Sequence, residues 1–587
     1  MKTQNTYAVD FETYYDKDYS LESMGTEEYL NDPRLHVYLV AIAGPEIRFY
    51  GHPEAFDWQL LTGQHLVAHN ARFDQSVYER LVELGKIPEV NPASWDCTAD
   101  LAVYLRCGRS LLNASRSLLG VKLDKSTRAE LEGVDPNDLE GELRDKALTY
   151  VMQDADCCLQ IWEQYNEQWP ESEKILSRLN RELGRRGVQI DVPLLTSSLT
   201  KLKQVIFKAN KLIPWEWGPG TKRKTPLAPT QIMQECRKAG ISCPGSFAQD
   251  SDECREWEDR HGNTHLWIGA LRDWRRANIL LKRLETVEKR LTPEGIFPFS
   301  LLYFGAHTGR YSGTGGYNMQ NMLKNPAFGV NLRHHFIARP GHKLVIADLS
   351  QIEARITLWI AGDYNTLDKI EAGLSIYEAH AIQSMGWEEE FGKLKETNPE
   401  LYLLAKARVL SLGFGCGWLK FITMAAKCGL VITPDVSKET VDNFRSTNPK
   451  ITDLWRMFER DCIRSRGENY SLTLPSGREF TYFNILTANG LEGEIIRDVR
   501  KVALYGGRIT ENVVQATARD LYVEHMLTLK DAGIQHLFGS HDEYVMELPE
   551  GNLQLDTIEE IISVTPDWLE GCPIGCEITV TDHYLKD

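Results

Sequence analysis

Two stretches of this chain end an apolar run on a carboxylate. In Lys343-Leu-Val-Ile-Ala-Asp348-Leu-Ser-Gln-Ile-Glu353-Ala-Arg355 an aliphatic strand leads to Asp348 and then turns polar. In His536-Leu-Phe-Gly-Ser-His541-Asp542-Glu543-Tyr-Val-Met-Glu-Leu the same pattern leads to Asp542. Acids on adjacent strand ends can hold two divalent cations about 3.5–4 Å apart, an arrangement that stabilises both the attacking and the leaving oxygen of phosphoryl transfer. A lone His-Asp-Glu is usually a hairpin turn, but here Leu537-Phe538 and Tyr544-Val545 flank it as strand material.

A second group of acids lies near the start of the chain. Tyr7 to Thr13, YAVDFET, reads as a strand in which Asp10 and Glu12, two apart, project from one face. A second apolar run, Leu66-Val-Ala-His69, passes Asn70 and leads to Phe73-Asp74 at the start of a helix. From 142 to 162 the periodicity is helical, and Tyr150 and Asp154, four apart, share a face. A solitary Asp-x-Glu on a strand is more often a solvent-facing pair than a metal site; four acids and a phenol together favour chemistry. Asp96, in WDCT, and Asp156 are alternative acids, and spacing does not separate Asp156 from Asp154.

The elements that must position these groups need several cores. The chain has 587 residues, 42% hydrophobic and 25% charged, enough for three or four domains. Its first residues, MKTQNTYAVDFETYYDKD, lack the apolar run of a signal peptide, and no stretch approaches the roughly 20 apolar residues of a membrane span, so a soluble, cytoplasmic protein is expected. Twelve cysteines, several in helix or strand patterns (Cys97, Cys107, Cys157, Cys158), read as reduced small hydrophobes. Cys572 and Cys576, or Cys236, Cys243 and Cys254 with His261 and His265, lack the paired short spacing of a zinc site. The net charge is −17, so any affinity for a polyanion requires segregated basic clusters. Arg181 to Arg186, Lys222 to Lys224 and Arg272 to Arg290 are the candidates, each equally readable as a solvated face.

DLSQIEAR and HDE resemble the first and third palm motifs of family A DNA polymerases, and TGRYSGTGGYNMQN (308 to 321), QATARD (515 to 520) and LPSGR (474 to 478) follow that family's order. The resemblance implies that Asp348, Asp542 and the Leu349 carbonyl bind two Mg²⁺ ions per site, with Mn²⁺ an acceptable substitute, and that Glu543 supports them. It implies a steric gate at Glu353, with Gln351 beside it, and minor-groove contacts from Arg310 and Gln515. Gln320 and Asn321 would touch substrate, and His541 the primer terminus. The N-terminal order resembles DEDDy 3′ to 5′ proofreading exonucleases, in which Asp10, Glu12, Asp74 and Asp154 would bind two further ions and Tyr150 would orient the attacking water.

The implied fold is multidomain α/β plus α+β: a ribonuclease-H-like exonuclease domain (1–171), followed by a right-hand polymerase with thumb (172–300), palm (301–364 and 496–587) and fingers (365–495). The segment from 243 to 265 is expected to be a polar surface insertion. No 5′ nuclease domain is expected before the exonuclease, and GFGCGWLKF and GGRITENVVQATARD are similar to phage replicative enzymes more than to host repair enzymes. Expected partners are primer-template DNA and deoxynucleoside triphosphates, with replication accessory proteins admitted, no membrane, and a monomeric state. The alternative is a 3′ to 5′ exonuclease whose degenerate polymerase half only holds DNA.

That alternative is motivated by the fingers helix. The family pattern sets Arg, Lys and an aromatic four residues apart, followed by Gly and a Tyr-Gly pair. Anchoring on Gly413 and Gly417 puts Leu404, Arg408, Leu412 and Cys416 at the Arg, Lys, aromatic and Tyr positions. Arg408 would keep a permanent cation for phosphate, Lys406 would assist in binding substrate although it points to a different face, and Leu412 would pack on base or sugar with no hydroxyl. Dideoxynucleotides should therefore terminate synthesis poorly. Efficient termination at equal dideoxy and deoxy concentrations would break this alignment.

Overall fold

YAVDFET forms the central strand of a five-stranded sheet. Thr6–Thr13 pairs antiparallel with Val37–Ala43 and parallel with His65–Ala68; Arg48–Gly51 and Ser94–Cys97 close the edges. The computed structural model describes residues 4–218, 220–221, 225–248, 251–388, 392–488, 490–497 and 499–585. The basic run Lys222 to Lys224 falls outside them. Ala8, Leu39, Ala41 and Val67 on one sheet face pack with Val151, Ala155 and Cys158 of the long helix Gly141–Tyr165. Tyr7, Val9 and Phe11 on the other pack with Val77, Tyr78 and Leu81 of Ala71–Glu83. Asp10 and Glu12 remain partly exposed on the strand between buried Val9, Phe11 and Thr13.

A second sheet runs His536–Ser540, Glu543–Pro549, His342–Leu349, Cys576–Thr581. The 26-residue helix Gly506–Asp531 backs it, with Val514, Ala518, Leu521 and Tyr522 packed among Val345, Ala347 and Tyr544. Tyr522 stacks on Tyr544 at 4.4 Å between ring centroids. A Cβ at Gly539 would stand 1.8 Å from the Tyr522 hydroxyl, so only glycine fits there. Helices from Ile352–Ile360 to Pro449–Arg464 lead into a third sheet, Tyr470–Thr473, Glu479–Leu486, Glu492–Ile496 and Arg500–Ala503. The segment boundary expected at 495/496 thus falls inside a sheet.

These regions form one compact unit of Met1–Arg186, Phe299–Gln320 and Val345–Thr579. The other unit comprises Gly187–Pro298, Asn321–Leu344 and Val580–Asp587. It is built on the helices Val192–Asn210 and Leu266–Arg290, with a small sheet of Phe336–Ile337, Val188–Ile190 and Ile296–Phe297. Here the expected surface insertion is corrected: Asp252–His261 is a helix whose Cys254 and Trp257 are buried, and its Glu258 pairs with buried Arg275 at 3.0 Å. Polar composition concealed the three residues that face inward, Cys254, Trp257 and Glu258.

The helix Glu171–Arg186, expected at the start of the thumb, clusters with the first unit. Its cations are spent internally. Arg181 donates to the Trp95 carbonyl, Arg185 pairs with Glu79, and Arg186 pairs with Glu547 at 3.0 Å. In Leu266–Arg290, Arg276, Lys282 and Lys289 remain exposed. All twelve cysteines are free, and the Cys236 and Cys243 sulfurs lie 3.0 Å apart. Among the described residues no helix is long and apolar enough to cross a membrane.

Arg519 and Glu173, 346 residues apart and both nearly fully buried, form a two-pronged ion pair, with Nη2 to Oε2 at 2.8 Å. Burial opposes the charge on Glu173, and the Arg519 guanidinium overrides it, holding the carboxyl below its ordinary range. Removing one partner of such a pair leaves an uncompensated buried charge. Glu173→Ala should lower stability by ~3–5 kcal/mol, read as the shift in urea midpoint multiplied by the slope of the transition. A shift indistinguishable from that of an exposed Glu→Ala control would contradict this.

Candidate active sites

The backbone delivers Asp348 and Asp542 side by side. The Leu349 N–H donates to the Asp542 carbonyl at 3.0 Å, so the last residue of one strand is stitched to the residue before the other. Asp348 and Asp542 are partly exposed, whereas Leu349 and Glu543 are buried. His541 (φ 62°) and Gln351 (φ 47°) adopt left-handed backbone, a conformation uncommon outside glycine and concentrated at functional turns. Gln351 opens the helix Ile352–Ile360 and turns Glu353 back toward Arg310, whose Nη2 meets its Oε1 at 2.5 Å. Gln515 contacts Glu511 at 3.4 Å one helical turn earlier. Burial, then Glu353, raises the Glu511 carboxyl, while Lys420, Arg508 and Arg310 oppose the rise. Glu511 and Lys420 were missed from sequence because nothing in their spacing marks them.

Gln320 is buried and accepts the Ser540 hydroxyl on its carbonyl at 3.0 Å, bracing the strand that precedes His541. Asn321 is exposed, and its carbonyl accepts from Arg283 at 3.0 Å.

The helix Pro399–Leu412 carries Arg408 and Leu412, the two residues expected to meet the triphosphate. Arg408 is 3% exposed, donating to His380 Nε2 at 3.1 Å and to Asn443 Oδ1 at 3.0 Å, with its charge over the Phe444 ring. Burial pushes its guanidinium down to about 10, and burial and Arg408 together hold His380 neutral, down to about 3. Leu412 is 1% exposed, within the core of Ala405, Phe421 and Phe444. Neither faces solvent in this conformation. Lys406, partly exposed, is the cation that helix presents.

At the N-terminal cluster, Asp74 Oδ1 accepts the Phe11 N–H at 3.0 Å, which seats its carboxylate between Asp10 and Glu12 on the strand. Asn70 (φ 89°) makes the sharp turn before that helix. Burial first, then Asp74, Glu12 and Asp154, raises the Asp10 carboxyl. Burial and Asp154 push Glu12 up to about 7. Asp74 and Asp154 are raised by burial as well. Mutual repulsion of this kind is what a bound cation relieves. The alternative acids have partners of their own: buried Asp96 is held by His65 and by two bonds from Arg178, and Asp156 by Arg48.

Asp10 Oδ2 and Asp154 Oδ1 are buried oxygens with no hydrogen-bond partner, a donor set that fits a hard cation. Among the described residues, however, no three His, Cys, Asp or Glu side chains close on one point tightly enough to hold a metal. At the N-terminal cluster a cation already intrudes. Lys125 donates to Asp154 Oδ2 and to the Tyr150 hydroxyl, the latter at 3.1 Å. Nothing in the Asp124-Lys125-Ser126 sequence marks it.

Comparison with known proteins places this geometry. Residues 258–584 match the model of DNA polymerase family A. The chain is similar to the DNA polymerase of Bacillus phage SP02, 26% identical over 99% of this chain and 100% of that one. It is also similar to the thermostable DNA polymerase I of Thermus aquaticus, 26% identical over 48% of this chain and 31% of that one. In fold it resembles the POL domain of Pol1 from M. smegmatis, solved in complex with DNA primer-template and dNTP, with a TM-score of 0.68, 17% identity, and coverage of 99% of this chain and 95% of that one. The chain belongs to DNA polymerase family A.

Proposed function

We propose that this protein is a template-directed DNA polymerase of phage type that extends a primer 3′ end with deoxynucleoside triphosphates and trims misplaced 3′ ends at a second, N-terminal site. The observation that carries the first activity is the Leu349–Asp542 backbone bond, which aligns two partly exposed carboxylates at neighbouring strand ends. The full-length likeness to a phage polymerase and the fold likeness to a POL domain solved with primer-template and dNTP support DNA and dNTP as ligands.

Asp348, Asp542 and the Leu349 carbonyl would hold two Mg²⁺ ions, which when bound supply charge stabilisation to the attacking and leaving oxygens. Arg310 and Gln515 would donate to minor-groove acceptors shared by all base pairs, a contact that tests shape without choosing sequence. Glu353, fixed by Arg310, would crowd a ribose 2′ hydroxyl. At the other site Asp10, Glu12, Asp74 and Asp154 would hold the cations and Tyr150 would orient the attacking water. The four mutually raised carboxyls support this reading. The segments 1–171, 172–300, 301–364 with 496–587, and 365–495 would serve as exonuclease, thumb, palm and fingers.

The burial of Arg408 and Leu412 favours one other reading, an exonuclease whose polymerase half holds DNA without extending it. Primer extension by the purified protein separates the two. Asp10→Ala or Asp154→Ala should abolish degradation of a 3′ end and leave extension intact. Asp348→Ala or Asp542→Ala should lower extension at least ~10³-fold and leave degradation intact. A single change that removes both activities from a folded protein would end the two-site reading.

A further inference from the structure

Lys125 stands in the N-terminal acid cluster without a role in the reading above. It is delivered on a pinned segment: Leu123 and Leu131 are buried on either side of it, at 4% and 5% exposure, and the Gly133 N–H bonds the Tyr15 carbonyl at 2.8 Å. Tyr15 in turn donates its hydroxyl to the Arg128 carbonyl. The segment is thereby tied to the chain just beyond the strand that carries Asp10 and Glu12. From it the Lys125 ammonium reaches both side chains of the helical pair, Asp154 Oδ2 and the Tyr150 hydroxyl at 3.1 Å, and lies 4.5 Å from the Tyr150 ring centroid.

An ammonium has three donors and no acceptor. Where it meets the Tyr150 oxygen, that oxygen must accept, and the single phenolic proton is turned away from Lys125. Asp10, Glu12 and Asp154 are the charged neighbours that act on that phenol most strongly. We propose that Lys125 is a positioning residue of the hydrolytic site: it holds the Tyr150 oxygen as an acceptor and so directs the phenolic O–H, which bonds Asp154 in this structure, to the side of the cluster where the attacking water would sit. The inference rests on the proofreading reading and deepens it. Lysine suits the task because its charge also offsets Asp154 before any divalent ion arrives, and it can release that oxygen while keeping the phenol.

The test is degradation of a single-stranded 3′ end by the full chain. Lys125→Met should lower kcat about 10- to 100-fold with KM unchanged, at or below the lower end of the roughly 10²–10⁴-fold range of a group that itself transfers the proton, as suits one that acts through another. Lys125→Arg, which keeps the charge and donors, should recover most of it. Because Lys125 acts through Tyr150, the double variant Lys125→Met/Tyr150→Phe should be no more than about two-fold worse than Tyr150→Phe alone. Primer extension by Lys125→Met should match the unaltered protein. Mn²⁺ titrated against Lys125→Met in an Asp348→Asn/Asp542→Asn background, followed by electron paramagnetic resonance, should bind as tightly as or more tightly than without the lysine change.

Additive losses in the double variant, a KM effect in place of a kcat effect, or unchanged degradation by Lys125→Met would each overturn the inference. So would weaker Mn²⁺ binding, which would mean that lysine merely props the cluster open. The underlying reading fails differently: the unaltered protein would not degrade 3′ ends, or Asp10→Ala would degrade them normally.

Discussion

The buried Arg519–Glu173 ion pair is the constraint on which the first unit is built. Arg519 sits one turn beyond Gln515 on the long palm helix, and its Nε donates to the Gly309 carbonyl at 3.0 Å, directly before Arg310. Glu173 also accepts the Tyr303 hydroxyl at 2.7 Å, and the Trp169 indole donates to Tyr303 at 3.1 Å. Next to it Asp520 takes Arg478, from LPSGR, at 2.8 Å. One pair of opposite charges therefore fixes the palm helix, the loop carrying Arg310, and the helix whose Arg178 and Arg181 grip Asp96 and the Trp95 carbonyl. Such a pair adds little net stability over an apolar substitute. Its value is register: the two-pronged geometry joins helices 346 residues apart, and the neighbouring Asp520, 3.4 Å from Arg519, is itself taken up by Arg478.

The two acid clusters rely on opposite devices for keeping carboxylates together. In the palm, Asp348 and Asp542 stay partly exposed at strand ends, and the backbone does the positioning through the Leu349 bond and two left-handed residues. In the N-terminal cluster buried Asp74 and Asp154 stand beside partly exposed Asp10 and Glu12, the acids repel one another, and Lys125 offsets part of that repulsion.

Most of this was legible where chemistry coincides with a period-two or period-four pattern. Asp10 with Glu12, and Tyr150 with Asp154, follow from strand and helix geometry alone, and Asp348 and Asp542 from apolar runs that end in acid. Asp96 and Asp156 could not be set aside from sequence, because Arg178 and Arg48 lie 82 and 108 residues away from them. The Arg181 to Arg186 run misled for the same reason: its acceptors, Trp95, Glu79 and Glu547, are remote in the chain. The helix at 252–261 hid its burial because only Cys254, Trp257 and Glu258 face inward among charged neighbours.

Arg408 shows what motif spacing does not convey, namely which way a side chain turns once the helix packs. The helix Pro399–Leu412 is apolar nearly all round, so its composition does not say which face is covered. Its spacing does: Leu404, Arg408 and Leu412 are four apart and lie on one stripe, and a core that buries Leu412 draws Arg408 inward with it. The guanidinium tolerates this position because His380 stays neutral and accepts from Nε, Asn443 accepts from Nη1, and Phe444 offers a ring face. Two residues earlier, Lys406 occupies a different stripe and keeps access to solvent. Which cation this helix presents to solvent is therefore set by helical phase: Lys406 is partly exposed, and Arg408 bonds His380 and Asn443 in the interior.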